Sequence, residues 1–123
     1  MPDTPPTILL VDDEPAIRRI GVRVLEKAGF KILDAGDGEE AFKVWQANRA
    51  DIVLVISDVM MPKRNGWELL DAVRAEASEV PFVLTSGFDA SDGRQVTPTD
   101  RVKILGKPWE APRLVAAVKE MLA

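Results

Sequence analysis

Five short runs rich in apolar residues, each set apart from the next by a longer stretch, constrain this chain most. They are Thr7 to Val11 (TILLV), Lys31 to Ala35 (KILDA), the core of "DIVLVISD", the core of "PFVLTSG", and Val102 to Leu105. Such runs read as strands buried on one or both faces. The stretches between most of them carry helical periodicity. Pro15 suits a first helical turn, Ile17, Ile20, Val24, Leu25 and Ala28 recur at helical spacing, and Gly29 closes that helix. "GDGEEAFKVWQAN" reads as a turn and a helix with Ala41, Phe42 and Trp45 inward. Trp67 to Ala77 repeats the pattern with Leu70 and Val73, and Pro112 to Leu122 with Leu114, Val115, Val118 and Leu122. Strand and helix alternate, so a parallel α/β sheet with helices on both faces is expected. Lys31 to Ala35 alternates enough to suggest a sheet edge. Between the fourth and fifth runs, "FDASDGRQVTPTD" has little apolar periodicity. A short or mobile fourth helix is expected there, around Ala90 to Gln95.

Composition narrows the chemistry. The 123 residues suit one domain, and 46% hydrophobic with 29% charged residues suits a folded one. The net charge of −4 and the lack of a basic run argue against nucleic acid or an acidic membrane as a direct partner. There is no cysteine and no histidine, so a metal must be held by oxygen, which favours magnesium, calcium or manganese. Residues 1–6, "MPDTPP", read as a flexible tail without the features of a signal peptide. No apolar run approaches the ~18 residues of a membrane span. A cytoplasmic protein is the expectation.

In parallel α/β sheets, ligands bind beyond the carboxyl ends of the strands. The first run ends in Asp12, Asp13 and Glu14, the third in Asp58, the fourth in Thr85 and Ser86, and the fifth in Lys107 and Pro108. Taken singly these have bland readings. Asp12 and Asp13 could cap a helix, Thr85 could be an ordinary strand residue, and Lys107 could be a solvated loop charge. Taken together they make one pocket of carboxylates, a hydroxyl and an ammonium. Neighbouring carboxylates repel, and a divalent cation resolves that repulsion. Mg²⁺ suits the site, with Mn²⁺ as the alternative. A cation with open positions, a lysine and a hydroxyl form a receptor for a phosphoryl group. A carboxylate can itself be the nucleophile, and Asp58 is the best candidate because it tips the most central strand.

The segments "LLVDDEP", "VISDVMMP", "NG", "LTSG" and "GKPW", in this order and spacing, resemble the receiver domain of two-component response regulators. The resemblance covers residues 7–122 and places a receiver domain at 7–123. It implies a flavodoxin-like (βα)5 doubly wound sheet with strand order 2-1-3-4-5. Carried over residue by residue, it implies that Asp58 is the phospho-acceptor. Asp13 would bind Mg²⁺ directly and Asp12 through water, with Asp58 and the Met60 backbone carbonyl as further ligands. Thr85 would donate to a phosphoryl oxygen and shift on activation, and Lys107 would pair with the phosphoryl group. The peptide before Pro108 would be cis, and Gly66 would give the turn after the acceptor loop its freedom of φ. The resemblance further implies a histidine kinase or His-phosphotransfer protein as donor, docking near Pro15, Arg18, Arg19, Pro108 and Trp109. It implies a downstream protein target, and no turnover of a metabolite beyond assisting its own phosphotransfer and hydrolysis. The chain is expected to act as a monomer or weak dimer. With no room for an output domain after Leu122, it reads as a stand-alone switch or a receiver cut from a hybrid kinase.

Three departures from the family pattern stand out. Ile104 occupies a position that is often Tyr or Phe in receivers, where the ring swings inward on activation. The turn-rich stretch from Asp89 to Thr99 occupies the place of a solid helix. The expectation is therefore signalling through movement of that segment rather than through an aromatic. Met60 and Gly87 border the expected path of the hydrolytic water and cannot hydrogen-bond it, so they should not accelerate dephosphorylation. Two other classes fit less well. A flavodoxin-like cofactor binder would need a Ser/Thr/Gly-rich phosphate cradle, and a phosphorylation-independent pseudo-receiver would have lost an acid of the site.

Overall fold

The computed structural model describes residues 5–61, 63–87 and 100–123. Five parallel strands, β1 (Thr7–Val11), β2 (Lys31–Ala35), β3 (Ile52–Asp58), β4 (Phe82–Ser86) and β5 (Val102–Gly106), form one sheet. Their spatial order is β2-β1-β3-β4-β5, with β2 at one edge and β5 at the other. The described helices are α1 (Pro15–Lys27), α2 (Gly38–Asn48), α3 (Gly66–Ala75) and α4 (Ala111–Leu122). This is the flavodoxin-like receiver architecture implied by the sequence. The stretch from Asp89 to Thr99, with the short helix expected at Ala90 to Gln95, lies outside the described residues. So do residues 1–4 of the expected tail. Pro6 is tied in, because its carbonyl accepts from the Lys31 amide at 2.9 Å.

Strand alternation divides the core in two. On one face Leu9, Val11, Val55 and Leu84 pack under α2 and α3 with Trp45, Trp67, Leu69 and Phe82. On the other face Ile8, Leu10, Ile56 and Val83 pack under α1 and α4 with Leu25, Leu114 and Val118. Fully burying one such aliphatic side chain contributes about 1.5–3 kcal/mol. β1, β3 and β4 are lined on both faces, which makes their C-terminal tips rigid platforms for a site. Ile104 pairs in register with Leu84 and packs against the α2/α3 core, so an aliphatic side chain fills that position.

Local signals explain the helix ends. α2 starts at Asp37, whose side chain accepts from the Glu40 amide at 2.7 Å. α3 starts with a capping box between Asn65 and Glu68. α1 ends before Gly29 at φ 101°, the left-handed residue expected there. One part of the reading of α1 is corrected. Its buried residues are Gly21 and Leu25, while Ile20 is 51% exposed. A Cβ at Gly21 would lie 2.8 Å from Leu10 Cδ2. A glycine there lets the helix seat on β1 without displacing the end of the Leu10 side chain, and the apolar stripe of the helix is rotated away from Ile20.

Candidate functional site

The sheet's hydrogen-bond ladder runs past the strand ends and fixes the site residues on it. The Asp12 amide donates to the Ala35 carbonyl at 3.2 Å, that of Val59 to Thr85 at 2.9 Å, and that of Lys107 to Ser86 at 2.8 Å. Asp58 and Thr85 are in register on neighbouring strands and so share a face. Asp12, Asp58 and Thr85 are all buried. The Lys107–Pro108 peptide is cis, as the resemblance implies.

The pocket forms as the sequence suggests. Asp12, Asp13 and Asp58 each offer a carboxylate oxygen, and the three oxygens lie within 4.8 Å of one another. Lys107 Nζ donates to Asp58 Oδ2 at 2.8 Å and to Asp12 Oδ2 at 3.4 Å. It also comes to 4.0 Å from Glu14 Oε1. The Met60 amide donates to Asp58 Oδ1 at 3.3 Å. Asp12 Oδ1 accepts from the Glu14 amide at 2.9 Å, which holds the start of α1 to the site.

Burial pushes the Asp58 carboxyl above its usual range, and the charge of Asp12 adds to this. The Lys107 hydrogen bond and charge and the Met60 amide pull the other way without cancelling it. Burial also works against the Lys107 ammonium. There its bond to Asp58 and the charges of Asp12 and Asp58 win, and its pKa is raised. The cluster is thus an under-neutralised anionic pocket. Its all-oxygen donor set of three carboxylates, two of them buried, fits a small hard dication such as Mg²⁺.

Several residues have other or additional duties. Arg18, expected on a partner surface, is half-buried and braces the site from behind. Its Nη1 donates to the Asp12 carbonyl at 2.7 Å and its Nε to Asp34 Oδ2 at 2.9 Å. A long cation beside the end of β1 finds a carbonyl and an acid across the β1–β2 gap, which no spacing rule shows. Trp109, expected on the same partner surface, is half-buried against the α1/α4 core. Pro15, Arg19 and Pro108 are exposed. Ser57, the residue before Asp58 on β3, is fully buried on the face away from Asp58. Its Oγ donates to the Asp58 carbonyl at 3.0 Å.

Gly66 is needed for space rather than for φ. Among the described glycines the positive φ belongs to Gly29, and in the acceptor loop Lys63 takes φ 68°. A Cβ at Gly66 would stand 2.6 Å from the Asp58 carbonyl oxygen. The residue that sequence reasoning missed is Gly38, whose added Cβ would lie 1.9 Å from the Arg64 carbonyl oxygen. The Arg64 guanidinium stacks 4.9 Å from the Phe42 ring centroid. Arg64, in the loop after β3, therefore lies directly on the first turn of α2. The one hint in the sequence is the Asp-Gly pair opening that helix.

Gly38→Ala must lift the loop that bears Met60 and is expected to cost ~1–3 kcal/mol, the scale of core overpacking. Urea denaturation checks it against Gly106→Ala, where a Cβ meets nothing within 4 Å. Equal midpoints for the two variants would contradict the close approach.

Comparison with known proteins follows the same outline. A family model described as the response regulator receiver domain matches residues 8–119. Over 117 residues, 94% of this chain, it is 35% identical to the sensor kinase CckA of Brucella abortus (strain 2308), of which the match covers 12%. The chain spans about half or less of the length of the curated relatives it matches. Its structure superposes on the receiver domain from the hybrid histidine kinase CckA with a TM-score of 0.81 and 35% identity, covering 95% of this chain and 99% of that one. It is likewise similar to the response regulator protein TrrA from Thermotoga maritima, solved in complex with Mg²⁺ and BeF, with a TM-score of 0.81 and 28% identity. There the coverage is 94% of this chain and 97% of that one.

Proposed function

This chain belongs to the response regulator receiver domain family of two-component signalling, and on that basis we propose that Asp58 is its phospho-acceptor. The observation that carries the reading is the juxtaposition of Lys107 Nζ, bonded to Asp58 Oδ2 at 2.8 Å, with the three-carboxylate cluster. An ammonium and an acid cluster around one nucleophilic carboxylate are what phosphoryl transfer asks of a protein.

An oxygen of Asp58 attacks phosphorus in line with the leaving group. The O–P bond forms as the bond from phosphorus to the donor's imidazole nitrogen breaks, and the electron pair leaves with that nitrogen. Lys107 sits where it can follow the charge from the carboxylate to the phosphoryl oxygens. Thr85, in register with Asp58, supplies a hydroxyl on the same face. Asp13, Asp58 and the Met60 carbonyl would hold Mg²⁺ directly and Asp12 through water, and the ion would neutralise charge on the phosphoryl oxygens when bound. Supporting this metal are the donor set here and the Mg²⁺–BeF complex of the similar TrrA.

The donor is a histidine-phosphorylated kinase or phosphotransfer protein, a requirement that fits a chain with no histidine of its own. A mostly apolar groove between α1 and the loop after β5, lined by Ile17, Ile20, Pro108 and Trp109, opens beside Lys107 and suits docking of that partner. Arg19 and Pro15, exposed on α1, would add to the docking surface, while Arg18 acts through Asp12 instead. Hydrolysis of the aspartyl phosphate by water returns the switch to rest. Among the described residues, no helix is long and apolar enough to cross a membrane.

The test is incubation of the protein with Mg²⁺ and a small phosphodonor, followed by intact-mass and peptide mass spectrometry. One added phosphoryl group on the peptide bearing Asp58, abolished by chelation, is expected. No Mg²⁺-dependent product would overturn the reading.

A further inference from the structure

Glu14 occupies the N-cap position of α1, yet its side chain makes no capping hydrogen bond. Glutamate is not among the residues that favour this position, and here it leaves its carboxylate free of the first turn. Its Oε1 is 4.0 Å from Lys107 Nζ, and its side chain is 66% exposed. It also lines the groove formed by Ile17, Ile20, Pro108 and Trp109 at the point where that groove meets Lys107. The carboxylate therefore stands at the mouth of the pocket, in the path of an arriving donor.

Charge gives it a consequence. Asp12, Asp13, Glu14 and Asp58 against Lys107 leave three formal negative charges. One bound dication reduces these to a single charge, and without Glu14 the loaded pocket would be formally neutral. Asp12, Asp13 and Asp58 are committed to the cluster, so the residual charge that faces the groove is that of Glu14. A carboxylate a few ångströms from an incoming anion disfavours it in proportion to the anion's charge.

We propose that Glu14 is a specificity-determining residue, an electrostatic filter at the pocket mouth that penalises highly charged free phosphodonors. It favours a donor whose phosphoryl group arrives with compensating positive charge beside it. This inference rests on the proposed acceptor role of Asp58.

Glu14→Gln removes the charge, keeps the shape and breaks no cap bond, so it isolates the effect. Two small donors differ mainly in charge near neutral pH: acetyl phosphate is a dianion and phosphoramidate a monoanion. Phosphorylation of wild type and Glu14→Gln is followed by tryptophan fluorescence with each donor at saturating Mg²⁺ and low salt. Mg²⁺ affinity is titrated separately without donor. The variant is expected to raise kcat/KM about two- to fourfold more for the dianion than for the monoanion, a difference that fades at ~0.5 M salt. Mg²⁺ affinity should change by less than that factor. Equal changes for both donors, or none, overturn the filter. A larger shift in Mg²⁺ affinity than in donor selectivity assigns Glu14 to the metal and overturns it too. Failure of the wild type to phosphorylate with either donor is a different result and counts against the acceptor reading itself.

Discussion

Asp58→Asn is expected to abolish phosphoryl acceptance and to raise the melting temperature of the metal-free protein. The first effect is chemical. The amide oxygen of asparagine carries no charge and cannot form a stable acyl phosphate, so the Mg²⁺-dependent mass increase should disappear. The second follows from the electrostatics of the empty pocket. Burial lifts the Asp58 carboxyl above its unfolded value, with Asp12 adding to the shift. The native state therefore holds the proton more tightly than the unfolded chain does. Stability from this group is complete below the unfolded value and falls as pH rises through the raised folded value. At neutral pH an ionised Asp58 is a net burden on the fold. Asparagine keeps the shape and an acceptor for Lys107 while removing that burden, so a gain of about 1 kcal/mol is expected, in the range seen when a strained functional group is relieved. Thermal melts in chelator at neutral pH should show it, and the gap to wild type should narrow on acidification as Asp58 takes up its proton. A lower melting point in the variant would mean that the Lys107 bond outweighs burial.

Lys107→Met should slow phosphorylation by about 10²–10³-fold, the usual cost of removing one preorganised donor to developing charge. Lys107 is bonded to Asp58 and Asp12 together, and in the proposed mechanism its ammonium would follow the charge during transfer. Loss of that cation also leaves two buried carboxylates facing each other. Breaking a fully buried pair costs ~3–5 kcal/mol, but this pocket opens to solvent and the Lys107 side chain is 17% exposed, so ~1–2 kcal/mol is expected in the metal-free protein. Mg²⁺ should then raise the melting temperature of the variant more than that of wild type, because the ion replaces the missing charge. Rates with a small phosphodonor and melts with and without Mg²⁺ read the two effects separately. A variant that phosphorylates at the wild-type rate would remove Lys107 from the mechanism.

Much of the site was legible because strand tips are linear in sequence. Once a run such as "ILLV" or "IVLVIS" is read as a buried strand, the residue that follows it must sit at the carboxyl end of the sheet. Asp12, Asp13, Asp58, Thr85 and Lys107 all lie at such tips. Residues whose duty is set by what lies across a gap were not legible. Arg18 reads as surface charge until β2 places Asp34 within reach. Trp109 reads as part of a docking surface until α1 presents the bare face of Gly21 to it, with a Cβ position there only 3.7 Å from Trp109 Cζ2. Gly66 reads as a conformational hinge until the Asp58 carbonyl is seen at the place where a Cβ would be.

The sequence by itself determined the strands, the order of alternation and the chemistry at the strand tips, since burial and periodicity are local properties of the chain. The tertiary structure alone decided which groups meet. The 2.8 Å bond from Lys107 to Asp58 closes a loop of 49 residues, and the seating of the acceptor loop on Gly38 depends on the packing of α2 and α3. Such contacts depend on the three-dimensional course of the backbone, to an accuracy of tenths of an ångström, and residue spacing along a chain carries no distance of that kind.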